Sequence, residues 1–189
     1  MIQPAGLAEV RWVSPIATDD FAEYRDAAFL DRLGLASHRD ALADFWPKRG
    51  PQWDALGVAG TAVVLVEAKA HLREFNTPPS QAAEVSRRRI ATAFDQVRAA
   101  LHVTSGADWA EANYQFANRL AHLWWLRDRG VDAHLLFVGF LNDQDMNGPT
   151  HASDWHQAFA SATEKLGLAA EHGLSPFIHH ATPDVTELV

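Results

Sequence analysis

The sequence predicts a single α/β domain with a mixed central β-sheet flanked by helices. Three observations predict it. Thr61 to Ala70 is the most apolar run in the chain and is β-branched, which at that length reads as a buried strand. Gly57 to Gly60 reads as a tight turn just upstream, with Trp53-Asp54-Ala55-Leu56 as a short antiparallel partner. Two long helical segments, 80–102 and 108–129, then separate that run from a second apolar run at Val131 to Leu141. A strand reached through helices can join the sheet in parallel.

Composition sets the class. The 189 residues suffice for one domain with a proper core and are marginal for two. With 48% hydrophobic and 21% charged residues the chain reads as an ordinary soluble globule. The absence of cysteine excludes disulfides and thiolate metal sites. Met1 to Val10 lacks the basic start and apolar core of a signal peptide, and no apolar run is long enough for a bilayer. The expectation is a cytoplasmic protein without a membrane partner. A net charge of −8 argues against avid nonspecific binding to duplex DNA, although bases cluster at Lys48-Arg49 and Arg87-Arg88-Arg89.

The elements follow in order. Ala8 to Val13 alternates enough for an edge strand. Thr18 reads as the N-cap of a helix to Leu33, with Asp19 and Asp20 in its first turn, Phe21, Tyr24 and Ala28 facing inward, and Gly34 as its stop. Ser37 caps a second helix, His38 to Trp46, stopped by Pro47. After the hairpin, Asn76-Thr77-Pro78-Pro79 turns the chain and Ser80 caps a helix to His102, with Ala83, Ile90, Phe94, Val97 and Leu101 inward. Asp108 to Arg129 is apolar on much of its circumference, and His122 there reads as a packed histidine. Asp143 to Gly148 matches the first half of a calcium loop. However, its twelfth position is Asp154 and Pro149 follows the glycine, so it reads as a loop before a helix capped by Ser153. Leu174 to Ala181 reads as the final strand.

The chemistry concentrates on the first apolar strand. Glu67, Lys69 and His71 alternate with small residues and therefore share one face, in line with Val63 and Leu65. A carboxylate and an ammonium on a core strand are costly unless paired or bound. The hairpin brings Asp54 towards them. Asp54, Glu67 and the Ala68 carbonyl offer hard oxygen ligands of the kind Mg²⁺ or Mn²⁺ accepts. Lys69 beside them would orient a water or bind a phosphate.

That arrangement resembles the PD-(D/E)xK nuclease superfamily, in which an acid on one strand is followed by D/E-x-K on the next. Here the acid is Asp54, preceded by Pro51-Gln52-Trp53, and the E-x-K is Glu67-Ala68-Lys69, with twelve residues between Asp54 and Glu67. The resemblance implies a restriction-endonuclease-like core over residues 19–141 and a helix–strand extension over 142–189, within one domain spanning 1–189. It implies a metal-dependent phosphodiesterase acting on nucleic acid, DNA before RNA, with Asp54, Glu67 and Lys69 catalytic and a homodimer as one assembly. Glu23, His71 and Gln81 are auxiliary candidates at the same site. The competing reading of Glu67 is a structural ion pair with Lys69 or Arg73. The competing function is a nuclease-like fold without turnover, acting as a binding or scaffold module. Convergence of Asp54, Glu67 and Lys69 on an open pocket favours the enzyme, and a closed Lys69–Glu67 pair favours the module.

Overall fold

The computed structural model describes residues 4, 6–75, 82–111 and 113–187. Among them run β1 (Arg11–Ser14), α1 (Ala27–Arg32), α2 (Arg39–Phe45), β2 (Ala55–Ala59), β3 (Ala62–Lys69), α3 (Glu84–Ala100), α4 (Tyr114–Asp128), β4 (Ala133–Gly139), α5 (Ala152–Lys165) and β5 (Ile178–Ala181). The five strands form one sheet in the order β1-β2-β3-β4-β5. β1, β2 and β3 are antiparallel neighbours, and β3, β4 and β5 run parallel. The fold is thus the α/β class with a mixed sheet that the apolar runs predict.

The strand order explains the layering. The helices between β3 and β4, and α5 between β4 and β5, are successive crossovers in one direction. Right-handed crossovers of that kind lie on the same face of a sheet. The main core accordingly joins Leu56, Val63, Leu65, Leu135 and Phe137 to Phe94, Val97, Leu120, Leu123, Trp125 and Phe159. A smaller cluster on the other face holds Val64, Val66, Leu136 and Val138, packed with Leu7, Trp12 and Phe140. Glu67 and Lys69 share the alternation of Val63 and Leu65, so they face the helices.

Several local expectations are corrected. The hairpin turn is Gly60-Thr61, because Ala59 pairs with Ala62, and Gly57 lies inside β2. A Cβ on Gly57 would sit 2.4 Å from Cγ1 of Val10, so this glycine serves close packing rather than a turn. The expected helix over 18–33 is a short 3-10 turn, Ala17–Asp19, followed by an irregular stretch and α1. Polar bonds outweigh helical spacing there: Asp26 accepts from the amides of Arg49 and Gly50 at 3.0 and 2.9 Å, while Asp19 binds Tyr24 and Arg32. Phe21 is exposed instead of inward. α3 is described from Glu84, Ala83 is exposed, and the Ser80 cap lies outside the described residues. α4 begins at Tyr114 rather than 108, after Asn113 in left-handed backbone. Trp109, ahead of it, donates its Nε1–H to the Leu166 carbonyl at 2.9 Å. His151, not Ser153, occupies the cap of α5.

Strand and helix pack closely at Gly139, the last residue of β4. A Cβ there would meet three atoms of the Trp155 ring at 2.4–2.6 Å, and Trp155 is fully buried. Gly139→Ala should therefore destabilise the protein by about 2 kcal/mol, since an overfilled core forces backbone or rotamer shifts. Urea unfolding checks this, and a loss below about 0.5 kcal/mol would show that the indole moves freely.

Candidate functional site

The β2–β3 ladder delivers the site. Ala55 pairs with Val66, and the Asp54 amide donates to the Val66 carbonyl at 3.2 Å, which carries Asp54 alongside Glu67. The Asp54 carboxylate then turns onto β3, where its Oδ2 accepts from the Ala68 amide at 2.6 Å. Glu67 is 4% exposed. Its Oε1 lies 2.7 Å from Lys69 Nζ, and its Oε2 accepts from Arg119 Nε at 2.6 Å.

The sequence reading missed the part of the site that α4 supplies. Arg119 is buried, and besides Glu67 it donates to Asn118 Oδ1 at 2.7 Å and to the Gln52 carbonyl at 3.0 Å. Its guanidinium stands 4.9 Å from the Trp53 ring centroid. Gln115, one turn earlier, accepts from Lys69 Nζ at 3.2 Å. Glu74, in the 3-10 turn after β3, accepts the amides of Ala70 and His71 and lies 3.8 Å from Lys69. The usable signal was Gln115 and Arg119 at four-residue spacing, hence on one face of α4.

The electrostatics are lopsided. Glu67 has a cation on each oxygen, whereas among the described residues no ion pair reaches Asp54. Burial, with the like charges of Glu67 and Glu23 added, pushes the Asp54 carboxyl up to about 6. The Ala68 amide and Arg119 oppose that rise without cancelling it. The geometry leaves almost no room around Glu67: the cavity lined by Glu67, Lys69, Glu74, Gln115 and Arg119 holds about 10 Å³. Lys69 is itself only 11% exposed. Asp54 lies beside Glu67, and Glu67 and Lys69 form a closed pair.

The auxiliary candidates separate. Glu23 accepts from Gln52 Nε2 at 2.9 Å, which puts a second carboxylate near Asp54 from an irregular segment rather than a helix. His71 leans towards Glu74 at 3.8 Å, and its Nδ1 is buried without a partner among the described residues. Gln81 lies outside the described residues. Arg73 has no part in the Glu67 pair, whose second cation is Arg119. Arg87 and Arg88 both bind Glu84, and Arg89 donates to the Ala43 carbonyl.

Among the described residues no group of three or more His, Asp or Glu stands ready to hold a metal. The donor chemistry nonetheless fits a hard divalent cation at Asp54, a half-buried acid whose carboxyl is pushed up chiefly by loss of solvation. Glu67 would join only by releasing Lys69 or Arg119. No family model matches the chain, and no curated protein or solved structure shows significant similarity to it. What the geometry defines is a class: a buried acid–base cluster at the end of a central strand.

Two outcomes follow. Arg119→Ala would leave Glu67 buried with one of its cations gone, at a cost of about 3 kcal/mol in urea unfolding. A loss under about 1 kcal/mol would show that Lys69 alone neutralises Glu67. Asp54 controls a pH dependence. Its carboxyl ionises at about 6 in the fold, against roughly 4 in the unfolded chain, so ionisation favours unfolding. The penalty is absent below pH ~4 and complete above pH ~6. His122, buried and pushed down to about 3, opposes this by weakening the fold as pH falls below its ordinary range. The comparison with Asp54→Asn isolates the acid: the variant should melt above wild type at pH 8, and the gain should vanish near pH 4. An equal gain at both values would rule out the titration.

Proposed function

We propose that the chain is a PD-(D/E)xK-type metal-dependent phosphodiesterase with a restriction-endonuclease-like core, acting on nucleic acid, DNA before RNA. The observation that carries this reading is the in-register meeting of Asp54 with Glu67-Ala68-Lys69, in which the Asp54 carboxylate rests on the Ala68 amide. Asp54 and Glu67, with the Ala68 carbonyl, would hold Mg²⁺ or Mn²⁺, which would supply an acidified water and offset phosphoryl charge. Lys69, bonded to Glu67, would hold an attacking water or a phosphate oxygen. Gln115 holds the Lys69 ammonium in position. Arg119, a planar fork of donors, suits a phosphate oxygen once it leaves Glu67.

The closed Lys69–Glu67–Arg119 cluster favours a second reading, a nuclease-like fold that binds without turnover. Either reading accommodates a homodimer and a cytoplasmic setting. No described helix is long and apolar enough to cross a membrane.

The test is cleavage of labelled single- and double-stranded oligonucleotides in Mg²⁺ or Mn²⁺ by wild type, Asp54→Asn and Lys69→Met. Wild type should cut, and each variant should lose about a hundredfold or more in rate. A wild type that binds oligonucleotide yet cuts none with either ion sinks the catalytic reading and leaves the module.

A further inference from the structure

A cavity much larger than the one at Glu67 is also present. It holds about 640 Å³ and lies between α5, β5 and the segment joining them. Phe116 and Phe159 form its apolar wall, and His156, His172, His180, Glu164 and Glu171 bring polar groups to it.

Its position follows from the strand register. Glu67 pairs with Phe137, and Phe137 pairs with His180. Directly opposed residues point to the same face of a sheet, so the three lie in one row. Two strand spacings, about 10 Å, separate Glu67 from His180. Phe116 and Phe137 line the small Glu67 cavity, and Phe116 also lines the large one. The two cavities are thus neighbours across one aromatic wall.

The lining selects an occupant. His180 packs 4.3 Å from Phe159 and stacks at 17° on Phe137, centroid to centroid 5.8 Å, so flat rings are at home there. Burial lowers the pKa of both His172 and His180, which leaves them neutral at pH 7. His172 Nδ1 accepts from the Leu174 amide at 3.3 Å, which places its proton on Nε2 as a donor. Glu164 and Glu171 supply acceptors, and among the described lining residues there is no lysine or arginine. Two carboxylates without a base repel a phosphate. They suit a neutral ring that carries N–H donors and one acceptor. A cavity of this size takes a nucleoside.

We propose that this cavity is a nucleobase subsite that takes an unstacked base with an N–H-donating edge, guanine first, from a strand whose phosphate lies at Lys69 and Arg119. That the base belongs to nucleic acid rests on the function proposed above. The inference makes the substrate single-stranded or locally opened, because a base inside a duplex does not reach such a cavity. It also accommodates the −8 charge, since recognition passes to the ring rather than to a basic duplex groove.

Guanosine titrated into the full chain by calorimetry, with chelator and no phosphate present, tests the cavity apart from cleavage. Wild type should bind saturably. Glu164→Ala with Glu171→Ala, two exposed positions that leave the core untouched, should weaken guanosine by about tenfold or more. Adenosine should bind more weakly than guanosine to wild type. Absence of saturable guanosine binding, or binding that the double substitution leaves unchanged, overturns the subsite even if oligonucleotides are cut. Guanosine binding by a chain that cuts no oligonucleotide upholds the cavity and removes only the nuclease reading.

Discussion

Everything near the site depends on how one buried carboxylate is neutralised. Glu67 stands on the central strand with almost no exposure, and Lys69 and Arg119 each take one of its oxygens. Arg119 also reaches the Gln52 carbonyl, just ahead of β2, while Lys69 reaches Gln115 on α4. One carboxylate therefore ties β3 to α4 and to the start of the hairpin. Such clusters are weak evidence for stability, because apolar residues of similar volume often replace them at no cost. Their effect is placement. They fix where α4 rests on the sheet, and so which side chains meet at the strand end.

The helix-covered face of the sheet changes character from one edge to the other. Among the described residues Asp54 is an acid without a direct cation, and Glu67 is an acid with two. Phe137 is aromatic, and His180 is a stacked neutral ring. Cross-strand register sets this order, so it belongs to the topology rather than to any loop. A chain laid across these strands would meet charge first and flat apolar surface two strands later. The exposed arginines of α3 add little, because Arg87 and Arg88 are spent on Glu84.

The sheet and the first half of the site were legible because they follow short-range rules. Apolar runs with β-branching mark β3 and β4, and alternation alone puts Glu67 and Lys69 on one face. Asp54 was legible as a hairpin partner even though the turn was placed too early. Gly57 looked like a turn residue, and only the approach of Val10, just ahead of β1, and of Trp12 on β1 shows that it makes room for a neighbouring strand. The stretch from Asp19 to Asp26 failed for a related reason. Its carboxylates bind Arg32 and the amides of Arg49 and Gly50, partners that helical periodicity does not see. Arg119 was missed because the second cation on Glu67 comes from 52 residues along the chain, and nothing local to β3 names it.

The imbalance between the two acids bears on how the site would work under the proposed function. Asp54 wants a cation, and Glu67 has none to give up freely, because a buried carboxylate stripped of its partner is costly. A cation arriving alone would have to compete with Arg119 and Lys69 for Glu67. A phosphate arriving alone would draw those two bases away and strand Glu67. Arriving together, each would relieve the other: Lys69 and Arg119 would turn to the phosphate, and Glu67 with Asp54 would be free to hold the cation. Two ligands that each lower the cost of the other are positively coupled, and the coupling is reciprocal. Closure of the Lys69–Glu67 pair in the isolated chain is then what such a site looks like before either ligand arrives. It is equally what a binding module looks like permanently, and the difference lies in whether Glu67 exchanges its partners.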